Sequence, residues 1–342
     1  MKKPIPIEES QLYNLKRKSK LEALLGMPRG YLSKQPIDLD NQYNEFSELK
    51  KDGVSKRYYR YPAKRSELEK YQRKLFKYLN QIIIPEWVKS SQKGESYITN
   101  ASVHKVFPYG MKMDISSFYD SASYKCIRRC FLNAFHMDPD IAEIVARLLT
   151  YQKDTTRGVP TGGAASMRLM YFTYQDMYKE IYELSEKEGI TLTVYVDDLS
   201  FSSKHPLTKH FSDEVKKIVR KHGLTINDKK TKSYRFNEYR CYTGVGIHNG
   251  QLRVPNHLHK EIIELFLQCK KSNSIKDMIR LRGKVNSARQ IEPEIFPGVY
   301  AYLQGKKLEI DRYYRKKDRK IVECKNIKHD KKKAGLCDEH VR

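Results

Sequence analysis

Three carboxylates stand out for the chemistry they could do together. Asp114 closes an alternating β-like segment. Asp197-Asp198 falls between two short segments, 191–196 and 199–202, whose apolar residues recur with period two. If those segments form a hairpin beside the Asp114 strand, the three acids meet at one sheet edge. Like charges held so close repel unless a cation neutralises them. Carboxylate oxygens suit Mg²⁺, which takes one or two carboxylates plus substrate phosphates. Two such ions about 4 Å apart activate an attacking oxygen and stabilise a leaving one during phosphoryl transfer. Taken alone, Asp-Asp is also an ordinary polar hairpin turn.

The elements that must position these acids read as a βαβ-like centre. Residues 105–115 form a predicted strand, 121–135 and 139–151 predicted helices. A Gly-rich turn at 158–163 opens a long helix on which Met170, Tyr174, Met177, Ile181 and Leu184 make a buried stripe. Upstream, Leu12, Leu15, Leu21, Leu24 and Leu25 predict a helix over 11–32, with Gly26, Pro28 and Gly30 as breakers. A Tyr/Arg-rich strand is expected at 57–61 and a helix over 66–84, stopped by Pro85. Helical patterns return at 257–269 and 275–289. No internal repeat interrupts this plan.

Composition narrows the partners. In 342 residues, 66 Lys and Arg against 41 Asp and Glu leave a formal charge of +25, too large for an ordinary metabolic enzyme. The 39% hydrophobic content supplies a sizeable core and argues against general disorder. A polyanion is implied, nucleic acid or an acidic membrane. The 25 tyrosines and 12 phenylalanines favour nucleic acid, since bases offer faces for stacking. The N-terminus has no apolar stretch of the signal-peptide kind, and runs such as Ile82-Ile83-Ile84 are too short to span a bilayer. Six cysteines make no disulfide framework and fit a reducing, cytoplasmic setting. Cys126 and Cys130, and the tail group Cys324, His329, Cys337 and His340, lack regular metal-ligand spacing.

With these residues in view, the chain resembles a reverse transcriptase. Asp114-Ile115-Ser116-Ser117-Phe118-Tyr119 looks like the first catalytic palm motif, and Tyr195-Val196-Asp197-Asp198 is similar to the family's Tyr-x-Asp-Asp. Residues 158–166 look like the motif that positions template and nucleotide. Asn227-Asp228-Lys229-Lys230-Thr231 matches the next motif, and Tyr242-Thr243-Gly244-Val245 with Val254-Pro255-Asn256 looks like the primer grip. Asn100-Ala101-Ser102-Val103-His104, the Tyr242-Thr243-Gly244 triplet and the 24–32 segment narrow the resemblance to bacterial retron enzymes. Thr161 stands where the family carries glutamine, Met167 where proline is frequent, and Tyr242 where valine is usual.

The resemblance implies an α/β (α+β) right-hand polymerase with fingers, palm and thumb, its antiparallel palm sheet packed on helices. It implies 1–105 as N-terminal helix and fingers, 106–248 as catalytic palm with some fingers elements, 249–305 as primer grip and thumb, and 306–342 as a basic tail. Asp114, Asp197, Asp198 and the Ile115 carbonyl would hold two Mg²⁺ ions. Lys230 would protonate the leaving pyrophosphate, with Lys229 and Lys232 as competitors. Arg57 would contact the dNTP triphosphate, Gly162 and Gly163 the template–nucleotide pair, and Tyr119 would exclude a 2′-hydroxyl. Asn100 and His104 are carried over as an RNA-binding or structural element. Arg280, Arg282 and Lys284 are expected to touch a duplex backbone. The further implications are a structured non-coding RNA as template and primer, a DNA product (msDNA), an effector protein and a role in phage defence. A group II intron-like or abortive-infection enzyme, an RNA polymerase and an idle RNA-binding scaffold are the alternatives.

Overall fold

A computed structural model describes residues 4–34, 36–49, 56–153, 156–160 and 166–313, with the side chains of Lys56, Arg57 and Lys153 left aside. The chain divides into two units, Met1–Gln251 and Leu252–Arg342.

In the first unit, β1 (Tyr43–Leu49) and β2 (Lys56–Pro62) form an antiparallel ribbon. Next come β3 (Tyr109–Asp114), the short pair β4 (Tyr151–Lys153) and β5 (Thr156–Gly158), then β6 (Thr191–Tyr195), β7 (Asp198–Ser203) and β8 (Lys232–Tyr234). The hairpin β9 (Arg240–Tyr242) and β10 (Val245–His248) follows. The sheet that matters for function has the order β6-β7-β3-β8 and is antiparallel throughout. Helices pack against it, which makes the unit the mixed α/β class with antiparallel sheet that the sequence implies.

Strand alternation sorts this sheet into two faces. Met111, Met113, Leu192, Val194, Leu199 and Phe201 face the core, where Phe201 meets Phe211 of the helix Lys209–Lys221 edge-on at 5.2 Å. The opposite face carries Gly110, Lys112, Asp114, Thr193, Asp198, Ser200 and Ser202. It too is covered, by the helix Tyr97–Val103 and by Tyr242, so Thr193, Ser200 and Ser202 are buried. Tyr242 fits only because residue 110 is glycine. A Cβ there would lie 1.9 Å from the Tyr242 hydroxyl, which instead donates to the Phe201 carbonyl at 2.9 Å.

Several predicted elements are shorter than expected. The 11–32 helix is broken. Leu12 and Leu15 are buried from a turn in which Asn14 has φ +50°, and helices run only over Lys18–Leu25 and Tyr31–Lys34. Gly26 at φ +61° ends the first of these. The 66–84 helix is Glu67–Leu79, capped by Ser66; beyond it Ile82 bridges Ile5 instead. The 105–115 strand starts at Tyr109, after a 3₁₀ turn at His104–Val106. The predicted helices at 121–135 and 139–151 are Tyr124–Asn133 and Pro139–Leu149. The long helix is two, Ser166–Thr173 and Gln175–Lys187, although Met170, Tyr174, Met177 and Ile181 of its stripe are buried.

The second unit consists mainly of the helices Asn256–Ser272, Ile275–Ile291 and Pro297–Gly305, packed on one another through Leu265, Cys269, Met278, Leu281, Val285 and Leu303. Among the described residues no helix is long and apolar enough to cross a membrane.

Candidate active site

Tyr195 pairs with Asp198, so Val196 and Asp197 form a two-residue hairpin loop. Val196 adopts φ +60°, a left-handed conformation that costs a β-branched residue about 1–3 kcal/mol. The surroundings hold it there. Its N–H donates to Ser90 Oγ at 3.1 Å and its carbonyl accepts the buried Tyr178 hydroxyl at 2.8 Å. The flanking strand is fixed by bonds from Val194 N–H to the Trp87 carbonyl and from Lys89 N–H to the Val194 carbonyl.

This clamped turn meets the end of β3. Asp114 lies directly opposite Asp198 in the β3–β7 register, and the Ile115 N–H donates to the Asp197 carbonyl at 3.0 Å. A second strap comes from the next motif, where Asn227 N–H donates to the Asp114 carbonyl at 2.8 Å. The three acids expected to converge are therefore brought to one sheet edge by backbone register and main-chain hydrogen bonds.

Their electrostatics follow from that crowding. Burial pushes the Asp198 carboxyl up to about 6, helped by the charges of Asp197 and Asp114 and opposed by Lys112 and Lys230. The Lys230 ammonium donates to both Asp114 oxygens, at 2.9 and 3.0 Å. A cation thus already sits on the carboxylate that would ligate a metal. Among the described residues no three His, Cys, Asp or Glu close around a metal position. The donor set nevertheless fits a hard divalent ion of the kind that takes one or two carboxylates and completes its shell with phosphates and water. Asp114, Asp197 and Asp198 are the residues that would hold it. When bound, such an ion supplies charge neutralisation and polarises phosphate oxygens.

Tyr119 is half-buried on the helical turn Phe118–Ser121, with buried Phe118 beside it edge-on at 5.9 Å. Burial raises its phenol well above the usual range, and the Asp197 charge raises it further, which locates the ring beside the acids. Ile115 is buried at the strand end. The competitor Lys232 is engaged with Glu238 at 3.4 Å. Thr161, Gly162, Gly163 and the Arg57 side chain lie outside the described residues, as do the tail residues Cys324, His329, Cys337 and His340.

Of the two readings left open for Asn100 and His104, RNA-binding or structural, their burial supports the structural one, since neither has exposed surface. His104 bonds Ser202 Oγ through Nδ1 and Thr193 Oγ1 through Nε2, each at 2.7 Å, and lies against the Tyr242 ring. The Asn100 amide reaches Thr243 Oγ1 at 3.4 Å. In the second unit, Arg280, Arg282 and Lys284 each hold an acid, Asp277, Asp311 and Glu261 respectively. Sequence reasoning missed Ser90 and Tyr178, whose contacts nothing local announces. It also missed Lys112, which two-residue spacing from Asp114 places on the same face.

A register-locked carboxylate pair on an antiparallel sheet, backed by a clamped hairpin turn and faced by a lysine, is an arrangement whose chemistry suits metal-assisted phosphoryl transfer. Residues 49–275 match the family model described as reverse transcriptase (RNA-dependent DNA polymerase), and the chain belongs to that family. It is 25% identical over 264 residues to the Retron Se72 reverse transcriptase of Salmonella heidelberg, covering 74% of this chain and 68% of that protein. It is 22% identical over 294 residues to the Retron Ec48 reverse transcriptase of Escherichia coli, covering 79% and 70%. A solved telomerase from Candida albicans is similar at 13% identity with a TM-score of 0.39, over 60% of this chain and 40% of that one.

Proposed function

We propose that this chain is a retron-type reverse transcriptase, an RNA-directed DNA polymerase that copies a structured non-coding RNA into DNA. The observation that carries the reading is the Asp114–Asp198 register with Asp197 tied to Ile115, in a chain whose curated relatives are retron reverse transcriptases. The reaction is attack of a primer hydroxyl on the α-phosphate of a dNTP, releasing pyrophosphate. Asp114, Asp197 and Asp198 would hold two Mg²⁺ ions, which would supply charge neutralisation at the triphosphate. Lys230, which lies against Asp114, is the group placed to donate a proton to the leaving pyrophosphate. Tyr119 lies under the sugar and disfavours a 2′-hydroxyl. Arg57, Gly162 and Gly163 complete the nucleotide site from the sequence pattern.

In this reading 1–105 supplies the fingers, 106–248 the palm, 249–305 the primer grip and thumb, and 306–342 a basic tail. The RNA serves as both primer and template, giving msDNA, and the enzyme works in the cytoplasm beside an effector protein in phage defence. The test is primer extension on co-purified RNA with the parent chain and the double variant Asp197→Ala plus Asp198→Ala. DNA synthesis is expected from the parent only, at a loss of at least about 10³-fold in the variant. Synthesis by the variant would end the metal assignment. Absence of a discrete RNA would end the retron reading and leave the polymerase.

A further inference from the structure

Arg168 is 4% exposed, and among the described residues no acid lies against its guanidinium. Burying a cation without a carboxylate is costly unless other acceptors satisfy it. Here three carbonyls do. Nε donates to the Leu79 carbonyl at 3.3 Å, one Nη to the Ser91 carbonyl at 3.0 Å and the other Nη to the Ile82 carbonyl. Burial pulls the group down to about 10, so it stays charged at neutral pH. One planar fork thereby ties both ends of the 79–91 segment.

That segment carries Ser90, whose Oγ accepts the Val196 N–H of the hairpin turn. Ser91 beside it has φ +56°, a conformation that serine keeps only where its surroundings fix it. The Arg168 bond to its carbonyl does so. Val196 is thus gripped at its N–H through Ser90 and Arg168, and at its carbonyl by Tyr178. Both grips originate on the helices Ser166–Thr173 and Gln175–Lys187, which follow the Gly-rich 158–166 segment. Ser166 Oγ donates to the Pro160 carbonyl at 2.8 Å, which fastens the start of the first helix to that segment.

We propose that Arg168 is a positioning residue for nucleotidyl transfer, which acts through Ser91 and Ser90 to hold the Val196-Asp197 turn in its left-handed geometry. The proposal rests on the polymerase reading above and adds to it a residue that touches neither metal nor nucleotide. A turn left to relax toward an ordinary φ would carry the Asp197 carboxylate away from Asp114, so the fork on the 79–91 segment sets where the acids meet.

The test uses Arg168→Lys, which keeps the charge and gives up the fork, so that it holds one end of the segment and not both. Hydrogen exchange is read by mass spectrometry on the full chain in EDTA, where no metal contributes. Peptides covering 79–92 and 195–198 are both expected to exchange about tenfold faster in the variant, the equivalent of one hydrogen bond, with the 209–221 helix unchanged. Ser90→Ala should loosen 195–198 by the same factor and leave 79–84 protected. In primer extension normalised to the folded fraction, each variant should lower kcat about tenfold and leave the dNTP KM as in the parent. The double variant should lose no more than the worse single one. Faster exchange confined to 79–92, or losses in kcat that multiply, would overturn the proposal and leave Arg168 as a cap on the Glu67–Leu79 helix. Should Arg168→Lys not fold, two results still overturn it: a parental kcat in Ser90→Ala, or independent opening of 88–91 and 195–198 in the parent across a denaturant series. A parent that extends no primer–template would remove the polymerase reading, and the exchange data would still decide whether Arg168 holds the turn.

Discussion

An ammonium lying across both oxygens of Asp114 has to leave them before a divalent ion can take its place. That exchange gives Lys230 two separable effects. As the proposed proton donor, its replacement by Gln should lower kcat by about 10²–10⁴-fold, whereas Lys229→Gln should change it little. The same Lys230→Gln variant, relieved of the competing cation, should bind the metal at least as tightly, measurable by titration without nucleotide. Loss of both metal binding and rate would show that Lys230 only braces Asp114. Tyr119 gives a cleaner readout. Tyr119→Ala should admit ribonucleotides, seen as a fall in the dNTP over NTP ratio of kcat/KM, and an unchanged ratio would remove its role as a sugar gate. The acids themselves were legible because Asp is a costly residue to cluster and because two motifs flank it. Ser90, which holds Val196 across a separation of 106 residues, was not, since a single serine carries no mark of its distant partner.

At the scale of elements, the helix Tyr97–Val103 and the turn after it act as a latch on the polar face of the sheet. His104 closes the latch through Ser202 and Thr193. Full burial, reinforced by the Arg240 charge, pushes its imidazole down to about 3 from 6.5. The folded state therefore keeps His104 neutral while the unfolded chain protonates below about 6.5. Stability from this group is complete above that pH. It is lost as pH falls from 6.5 towards 3, by about 1.4 kcal/mol per unit. His104→Gln should flatten that part of the stability–pH curve in denaturant titrations, and His104→Ala should cost about 2–4 kcal/mol at neutral pH by stranding two hydroxyls. An unchanged slope in the Gln variant would place the proton elsewhere. The element was visible in the sequence as a motif, but its burial was not. Thr193, Ser200 and Ser202 read as the solvent side of an alternating strand, and only the covering helix and Tyr242 make them interior. The same limit explains the shortened helices. Apolar spacing reports which residues are buried, and Leu12 and Leu15 are buried without being helical.

For the whole molecule the question is which of its 66 basic residues grip a polyanion. Net charge alone assigns none. In the second unit Arg280, Arg282 and Lys284 already hold carboxylates, so binding a phosphate there means exchanging one anion for another. Such exchange releases few counterions from the nucleic acid per unit of net affinity, because the freed acid remains beside the site. The stretch 314–342 differs, with eleven Lys and Arg against five Asp and Glu, and so does 50–77, with eleven against three. RNA affinity should accordingly fall steeply with salt, as a straight line in log–log form whose slope counts neutralised phosphates. Removing 314–342 should make that slope shallower by several units, about one for each phosphate that the tail neutralises. Changing Arg280, Arg282 and Lys284 together to Ala should move it less than the three charges would suggest. The comparison is made by filter binding or anisotropy over a range of salt concentrations. The reverse ranking would mean that the ion pairs of the 275–291 helix open on RNA and that the tail charge acts elsewhere. The excess of +25 would then work through the helices of the second unit rather than through the most basic stretches of the chain.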